Sequence, residues 1–424
     1  MKKSLLLAGL AALTMIPLAG FAAEKNDVGA NDIGSLIKNG KPYADLRYRY
    51  EQVDQDPFTK DAKASTLRTK LGFQTGTWQN LQGQLEFEMT SHLGNNTYND
   101  GINGHTAYPA VTDPINHELN QAWLSWAGLP QTAIKGGRQI ITLDNQRFIG
   151  AVGWRQNDQT FDSVTVTNST VKDLSLLYGY IWNVNRIFGD NHPLGDYTTQ
   201  AHLVHGDYTF APWLKAAGYG YLMNIEEAPA LSAKTFGLRL TGDQDIATDV
   251  KFSYVLEGAN QADYRDNALD FSNNYYHIMP GIAWKSWTAQ AGYEVLKGDG
   301  IAAFQTPLAT LHAFNGWADK FLTTPVNGLE DSYGRLAYKV AGAAEWVDGT
   351  VLEAIYHDFN AENSGPDYGN EWDAQISKTF KTPVAPLMKE WSVSLKYADF
   401  SADGSAPAAI KDTTKYWLTL GTKF

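Results

Sequence analysis

The sequence contains no cysteine, so a disulfide framework, a thiolate metal site and a lipid anchor on a lipobox cysteine are all excluded. Basic residues are in deficit: 34 Lys and Arg stand against 46 Asp and Glu, a formal net charge of −12. That balance is the reverse of a nucleic-acid footprint, and no nucleic-acid partner is expected. A long apolar run is missing as well. After the first two dozen residues the nearest candidate is 300–318, which carries no formal charge. It holds Gln305, Pro307, His312 and Asn315, each costly in lipid, and is rejected as a membrane helix.

What the chain does have begins at its start. Met1-Lys2-Lys3 precedes an apolar run from Leu5 to Ala19, and Gly20-Phe21-Ala22 then supplies small residues at the positions a signal peptidase reads. Residues 1–22 are therefore expected to be a secretory signal peptide, cleaved near Ala22/Ala23. The apolar run is short for a bilayer span, which disfavours a membrane anchor. Loss of Lys2 and Lys3 takes the net charge from −12 to −14.

The exported remainder is rich in aromatics, with 13 Trp, 22 Tyr and 18 Phe. Most of it alternates apolar and polar residues at period two, the pattern of a strand with two unlike faces. Leu81, Leu85, Phe87 and Met89 oppose Gln82, Gln84, Glu86 and Glu88; Trp372, Ala374 and Ile376 oppose Glu371, Asp373 and Gln375. A soluble sandwich would alternate too, but connection lengths separate the cases. Long connections (92–116, 144–159, 184–197, 259–273, 298–331) regularly alternate with short ones such as Gln79, Leu129-Pro130-Gln131 and Ala211. Long loops at one rim and tight turns at the other mark an outer-membrane barrel. The fold class expected is all-β: a transmembrane antiparallel β-barrel of 18 strands, or 16 if neighbouring segments merge. Residues 23–424 would form a single domain, integral to the outer membrane of a Gram-negative-type cell.

The last segment, Tyr416-Trp417-Leu418-Thr419-Leu420-Gly421-Thr422-Lys423-Phe424, puts Tyr416, Leu418, Leu420 and Phe424 on one face. It is similar to the last-strand signal read by the barrel assembly machinery, so that machinery and outer-membrane lipid are the expected partners, with the barrel a monomer rather than a trimer.

Catalytic motifs are missing: no Gly-x-Ser-x-Gly, His-Glu-x-x-His or phosphate loop occurs. The nine histidines are scattered, and the pairs His202/His205 and His105/His117 lack a third ligand nearby on the same face. No enzyme activity, cofactor or metal is expected. Instead the polar strand faces carry charge. Arg47, Arg49, Arg68, Lys70, Arg239, Lys251 and Arg335 are candidate cations of a water-filled lumen, with Glu86 and Glu88 beside them. Such groups can select anions and orient sugar acids, or can pair with neighbouring carboxylates and simply fill the lumen.

Two stretches carry a family resemblance. One is Gly137-Arg138-Gln139, then Leu143-Asp144-Asn145-Gln146-Arg147-Phe148-Ile149-Gly150, then Trp154-Arg155-Gln156-Asn157-Asp158-Gln159-Thr160-Phe161-Asp162. The other runs from Thr306 through His312-Ala313-Phe314-Asn315-Gly316-Trp317-Ala318-Asp319-Lys320-Phe321-Leu322 to Asn327-Gly328-Leu329. Together they resemble the alginate-export family of outer-membrane channels. The resemblance implies an 18-stranded barrel with an arginine-rich lumen that conducts anionic or sugar-like solutes, from polysaccharide to oligosaccharide or smaller. It also implies Arg138, Asp144, Arg147, Arg155 and Asp162 as lumen or loop-anchor groups.

The connection 298–331 should fold into the lumen, or lie over it. Leu308, Leu311, Phe314, Trp317 and Phe321 recur at spacings that suit one face of a short helix ending near Pro325. An external loop would not expose so much apolar surface. Inserted, it would constrict the pore with His312, Phe314, Trp317, Asp319 and Lys320. The alternative function is a barrel plugged by this segment, with an enzymatic or adhesive role at the cell surface.

Overall fold

The computed structural model describes residues 33–381 and 388–424; the expected signal peptide, residues 1–22, lies outside them. After a short helical turn (Ser35–Lys38) come β1 (Lys41–Gln55), β2 (Ala62–Gln74), β3 (Leu81–Thr97), β4 (Asn116–Leu129), β5 (Thr132–Gln139) and β6 (Thr160–Asn168). They are followed by β7 (Leu174–Asn185), β8 (Asp196–Ala211), β9 (Leu214–Ile225), β10 (Ala233–Ala247), β11 (Val250–Asp263) and β12 (Ser272–Trp284). The last are β13 (Trp287–Leu296), β14 (Leu329–Lys339), β15 (Val351–Asn360), β16 (Asp367–Phe380), β17 (Glu390–Ala402) and β18 (Thr413–Lys423).

Each strand pairs antiparallel with its sequence neighbours, and β18 returns to β1. Asp45 sits opposite Lys70 on one side and Lys423 on the other. Closure into one 18-stranded barrel leaves no free edge. The termini and the tight turns share one rim. Several of those turns use left-handed residues, as in Gln79 (φ 48°) and Asn80 (φ 65°), where Trp78 and Leu81 exchange backbone hydrogen bonds. The connections 340–350 and 381–389 are the longer ones on that rim. On the opposite rim lie 98–115, 140–159 and 297–328.

The faces are inverted relative to a soluble protein. Leu71, Phe87, Leu238, Trp372 and Leu395 are each more than half exposed, whereas Arg49, Glu51, Glu88, Glu294 and Glu371 are buried. An apolar band outside and ionised groups inside is stable only when hydrocarbon, not water, surrounds the barrel. Strands of about 12 residues tilted near 40° cross roughly 30 Å, enough for that hydrocarbon. Exposed Trp126, Trp213, Trp284 and Trp287 ring the short-turn end, and Trp182, Tyr276 and Trp372 stand nearer the other, where amphipathic rings meet lipid headgroups.

Two local expectations need correction. The connection expected at 144–159 begins earlier, because β5 stops at Gln139. Gly137 there has φ 120°, and a Cβ would collide with the Ala122 carbonyl oxygen; the chain then leaves the wall and turns inward. The helix expected across 308–321 is only a 3-10 turn at Leu311–Ala313. Asn315, Gly316 and Asp319 take positive φ, and the Trp317 and Ala318 amides donate to Asp373 and Glu371 of the wall rather than to helical carbonyls.

Candidate functional site

Inside the barrel two long connections meet. The 140–159 segment leaves β5 at Gln139 and buries Ile141, Leu143, Phe148 and Ile149 against Tyr219, Tyr221 and Tyr275 of the wall. The 297–328 segment buries Phe304, Leu308, Trp317 and Phe321, with Phe321 packed on Phe359, Tyr368 and Phe400. Backbone bonds join the two: Gly150 N–H donates to the Leu308 carbonyl (2.9 Å) and Thr310 N–H to the Gln146 carbonyl (3.0 Å).

Arg147 is the polar centre of that junction. It is 1 % exposed. Its Nε bonds Glu294 Oε1 (2.8 Å), Nη1 bonds Thr306 Oγ1 (3.0 Å) and Nη2 bonds Asn315 Oδ1 (3.1 Å). The Phe314 ring lies 4.8 Å from its Cζ. The guanidinium thus ties both inserted segments to β13.

A second set of charges fixes residues 153–158 to the wall. Lys70 Nζ contacts Asp158 and also Glu88 (2.9 Å), while Arg68 bridges Asp45 (2.9 Å) and Asp158 (3.6 Å). Arg155 reaches Glu51 (3.0 Å), Asp319 (3.3 Å) and Asp113 (3.7 Å). Arg47 donates to Gln156 Oε1 (2.9 Å) and the Gly153 carbonyl (2.7 Å). Glu86 accepts from Tyr43, Asn120 and Gln121.

Trp154, from one inserted segment, stacks on His312, from the other, at 3.5 Å and 4°. His312 Nδ1–H donates to Asp319 Oδ1 (2.7 Å), and Lys396 Nζ donates to His312 Nε2 (2.7 Å). A donor on one ring nitrogen and an ammonium on the other require the neutral imidazole; burial and Lys396 accordingly hold the His312 pKa well below its ordinary value. Burial opposes a charge on Asp319, yet Lys415 (2.8 Å), His312 and Arg155 together hold its carboxyl well below the usual range. Lys320 donates to Thr413 Oγ1 (2.8 Å), and burial next to Lys415 brings its pKa down to about 8.

The other candidate residues are dispersed around the wall. Arg138 pairs with Asp162 (2.8 Å) and is part-exposed. Arg239 pairs with Glu257 of β11. Arg335 pairs with Glu353 and also bonds Gln290 (2.5 Å). Lys251 meets Asp243 (2.8 Å) beside the short turn between β10 and β11, away from the junction. Asp144 lies near His205. Tyr416 and Leu420 point outward into the apolar band, and Phe424 N–H closes the sheet on the Ala44 carbonyl (2.9 Å).

Cations without a carboxylate stand out against this paired interior. Among the described residues Arg47, Arg49 and Lys396 have no carboxylate oxygen within 4.0 Å. Arg49 lies 4.1 Å over Trp154, with Nη1 buried and unbonded; Lys396 lies 3.6 Å over Trp317 and 4.8 Å over Trp154. Sequence reasoning missed Lys396, Trp154, Glu294, Asn315 and Lys415. Parity along β13, β17 and β18 puts Glu294, Lys396 and Lys415 on the inward face, but nothing local marks them as partners of loops far away in sequence.

Fold and interior define a transmembrane β-barrel of the outer-membrane kind, narrowed from within by two of its own loops. The Alginate export family model matches residues 43–299, more than half of the sequence, and the chain belongs to that family. The match contains the 137–162 motif and ends before the 306–329 stretch. Among solved structures, the fold is similar to Acinetobacter baumannii OccAB2 (19 % identity, TM-score 0.72, covering 92 % of this chain and 99 % of that one). It is also similar to Pseudomonas aeruginosa OccK9 (OpdG) (15 %, 0.71, 92 % and 99 %) and OpdL (15 %, 0.68, 91 % and 99 %). At these identities the likeness is one of fold. No curated protein sequence matches.

Proposed function

We propose that the protein is a passive outer-membrane channel with a transport rather than a catalytic role, biased toward small anionic or sugar-like solutes. The observation that carries this is the trio Arg47, Arg49 and Lys396, three cations without a carboxylate partner grouped around Trp154 where the two inserted loops meet. A buried guanidinium with a free N–H is a ready partner for a carboxylate. Most other inward cations pair with carboxylates, so selectivity would come chiefly from this zone, with Lys320, bonded to Thr413, adding to it. Two inserted segments leave less width than an open 18-stranded barrel, which favours oligosaccharides or smaller solutes over a polymer.

The test is reversal potential in a planar bilayer under a salt gradient. Wild-type protein is expected to prefer anions despite its acidic net charge, and replacing Arg47, Arg49 and Lys396 by Gln should remove most of the preference. An unchanged reversal potential in a folded triple variant would refute the selectivity. A reconstituted, folded barrel without conductance would point to a plugged barrel with a surface role.

A further inference from the structure

On β8, His205 and Asp207 share the inward face, two residues apart, and the inserted 140–159 segment brings Asp144 against them. His205 Nε2 lies 3.2 Å from Asp207 Oδ2 and 3.7 Å from Asp144 Oδ1. Ligand atoms of all three residues fall within 4.8 Å of one another. Donors bound tetrahedrally at about 2.1 Å from one zinc-sized ion sit roughly 3.4 Å apart. The observed spacings straddle that value.

The surroundings fit a ligand set better than an ordinary ion pair. The His205 side chain is 1 % exposed. Tyr221 Oη meets its Nδ1 at 3.1 Å, and the Tyr219 ring lies parallel to it within 8°. With Nδ1–H donated to Tyr221, the lone pair of Nε2 faces the two carboxylates, which is how a ligating imidazole is oriented. No described residue other than His205 hydrogen-bonds or ion-pairs with either carboxylate. A cavity of about 420 Å³ opens beside them, bounded by Thr142, Lys215 and Arg239, with room for water to complete a coordination shell. Arg239 is already engaged by Glu257.

We propose that Asp144, His205 and Asp207 form a binding site for a divalent transition cation of the zinc type, on the short-turn side of the inserted loops. Two carboxylates match the charge of such an ion, and one imidazole favours it over calcium or magnesium. Because Asp144 belongs to the inserted segment and the other two ligands to the wall, the bound ion clips the loop in place.

The test is equilibrium dialysis of Zn²⁺ against the detergent-solubilised, full-length barrel purified without a polyhistidine tag. About one equivalent should bind, and a hundredfold excess of Ca²⁺ should not displace it. His205→Gln and Asp207→Asn should each weaken binding at least tenfold, and Tyr221→Phe by roughly tenfold or more. Asp144→Asn lies off the strand ladder and gives an independent reading if a strand variant fails to fold, which heat-modifiable gel mobility reports. Equal binding to wild type and to the folded Asp144→Asn variant overturns the site, and displacement by Ca²⁺ overturns the zinc-type assignment. The measurement does not depend on conduction, so the channel reading and this site stand or fall separately.

Discussion

Replacing Arg147 by Met should loosen the inserted loops without dissolving the barrel. The guanidinium is sealed from water and bonded to Glu294, Thr306 and Asn315. Its removal leaves the Glu294 carboxylate buried with only Tyr275 Oη (2.7 Å) and Asn315 Nδ2 (2.7 Å) as donors. Breaking one partner of a buried pair costs about 3–5 kcal/mol. The strand ladder does not depend on Arg147, so the loss falls on the docking of 140–159 and 297–328. The Thr310 amide, bonded to the Gln146 carbonyl, and the Gly150 amide, bonded to the Leu308 carbonyl, are protected only while the two loops are joined. A loss of about 3 kcal/mol should speed their hydrogen exchange roughly 150-fold. Amides within β13 should hold their protection. Adding Glu294→Gln removes the stranded charge while keeping an acceptor for Tyr275, so the double variant should exchange more slowly than Arg147→Met alone. Unchanged protection at Thr310 and Gly150 in a folded Arg147→Met barrel would refute the reasoning, as would equal effects of the single and double variants.

Deleting residues 304–322 should raise single-channel conductance severalfold while heat-modifiable folding persists; unchanged conductance in the folded deletion would place the segment outside the conduction path. Lys320 has its pKa lowered to about 8, so it loses its charge in the folded channel well before it would in an unfolded chain. Anion preference should therefore decline between about pH 7 and 9, and a Lys320→Met channel should lack that step. Because the folded pKa lies below the unfolded one, protonating Lys320 opposes folding, and its contribution to stability improves as pH rises from about 8 toward 10.5. Changing Phe424 to Asp should lower the yield of assembled barrel without blocking export across the inner membrane, read by comparing heat-modifiable and periplasmic protein.

The barrel was legible because its information is local and periodic. Each strand states its two faces by parity, and the alternation of long and short connections states which rim is which. Arg138 keeps the parity of outward-facing Ile134, because the ladder runs through Gly136, Gly137 and Arg138 without a register shift. Family resemblance singled out Asp144, Arg147 and Arg155, and the apolar residues of 298–331 argued that this connection turns inward.

Only tertiary structure decided what those residues do. Arg147 meets Glu294, 147 positions away, because two loops from different parts of the barrel share one narrow interior. The spacing of apolar residues in 308–321 suggested a helix, but wall carboxylates Glu371 and Asp373 take the amides a helix would have used. His205 lacks a third ligand nearby in sequence and gains Asp144 through the fold of 140–159. Parity fixes which way a side chain points; which charges neutralise one another, and which are left free, depends on loop paths through the lumen that no local pattern encodes.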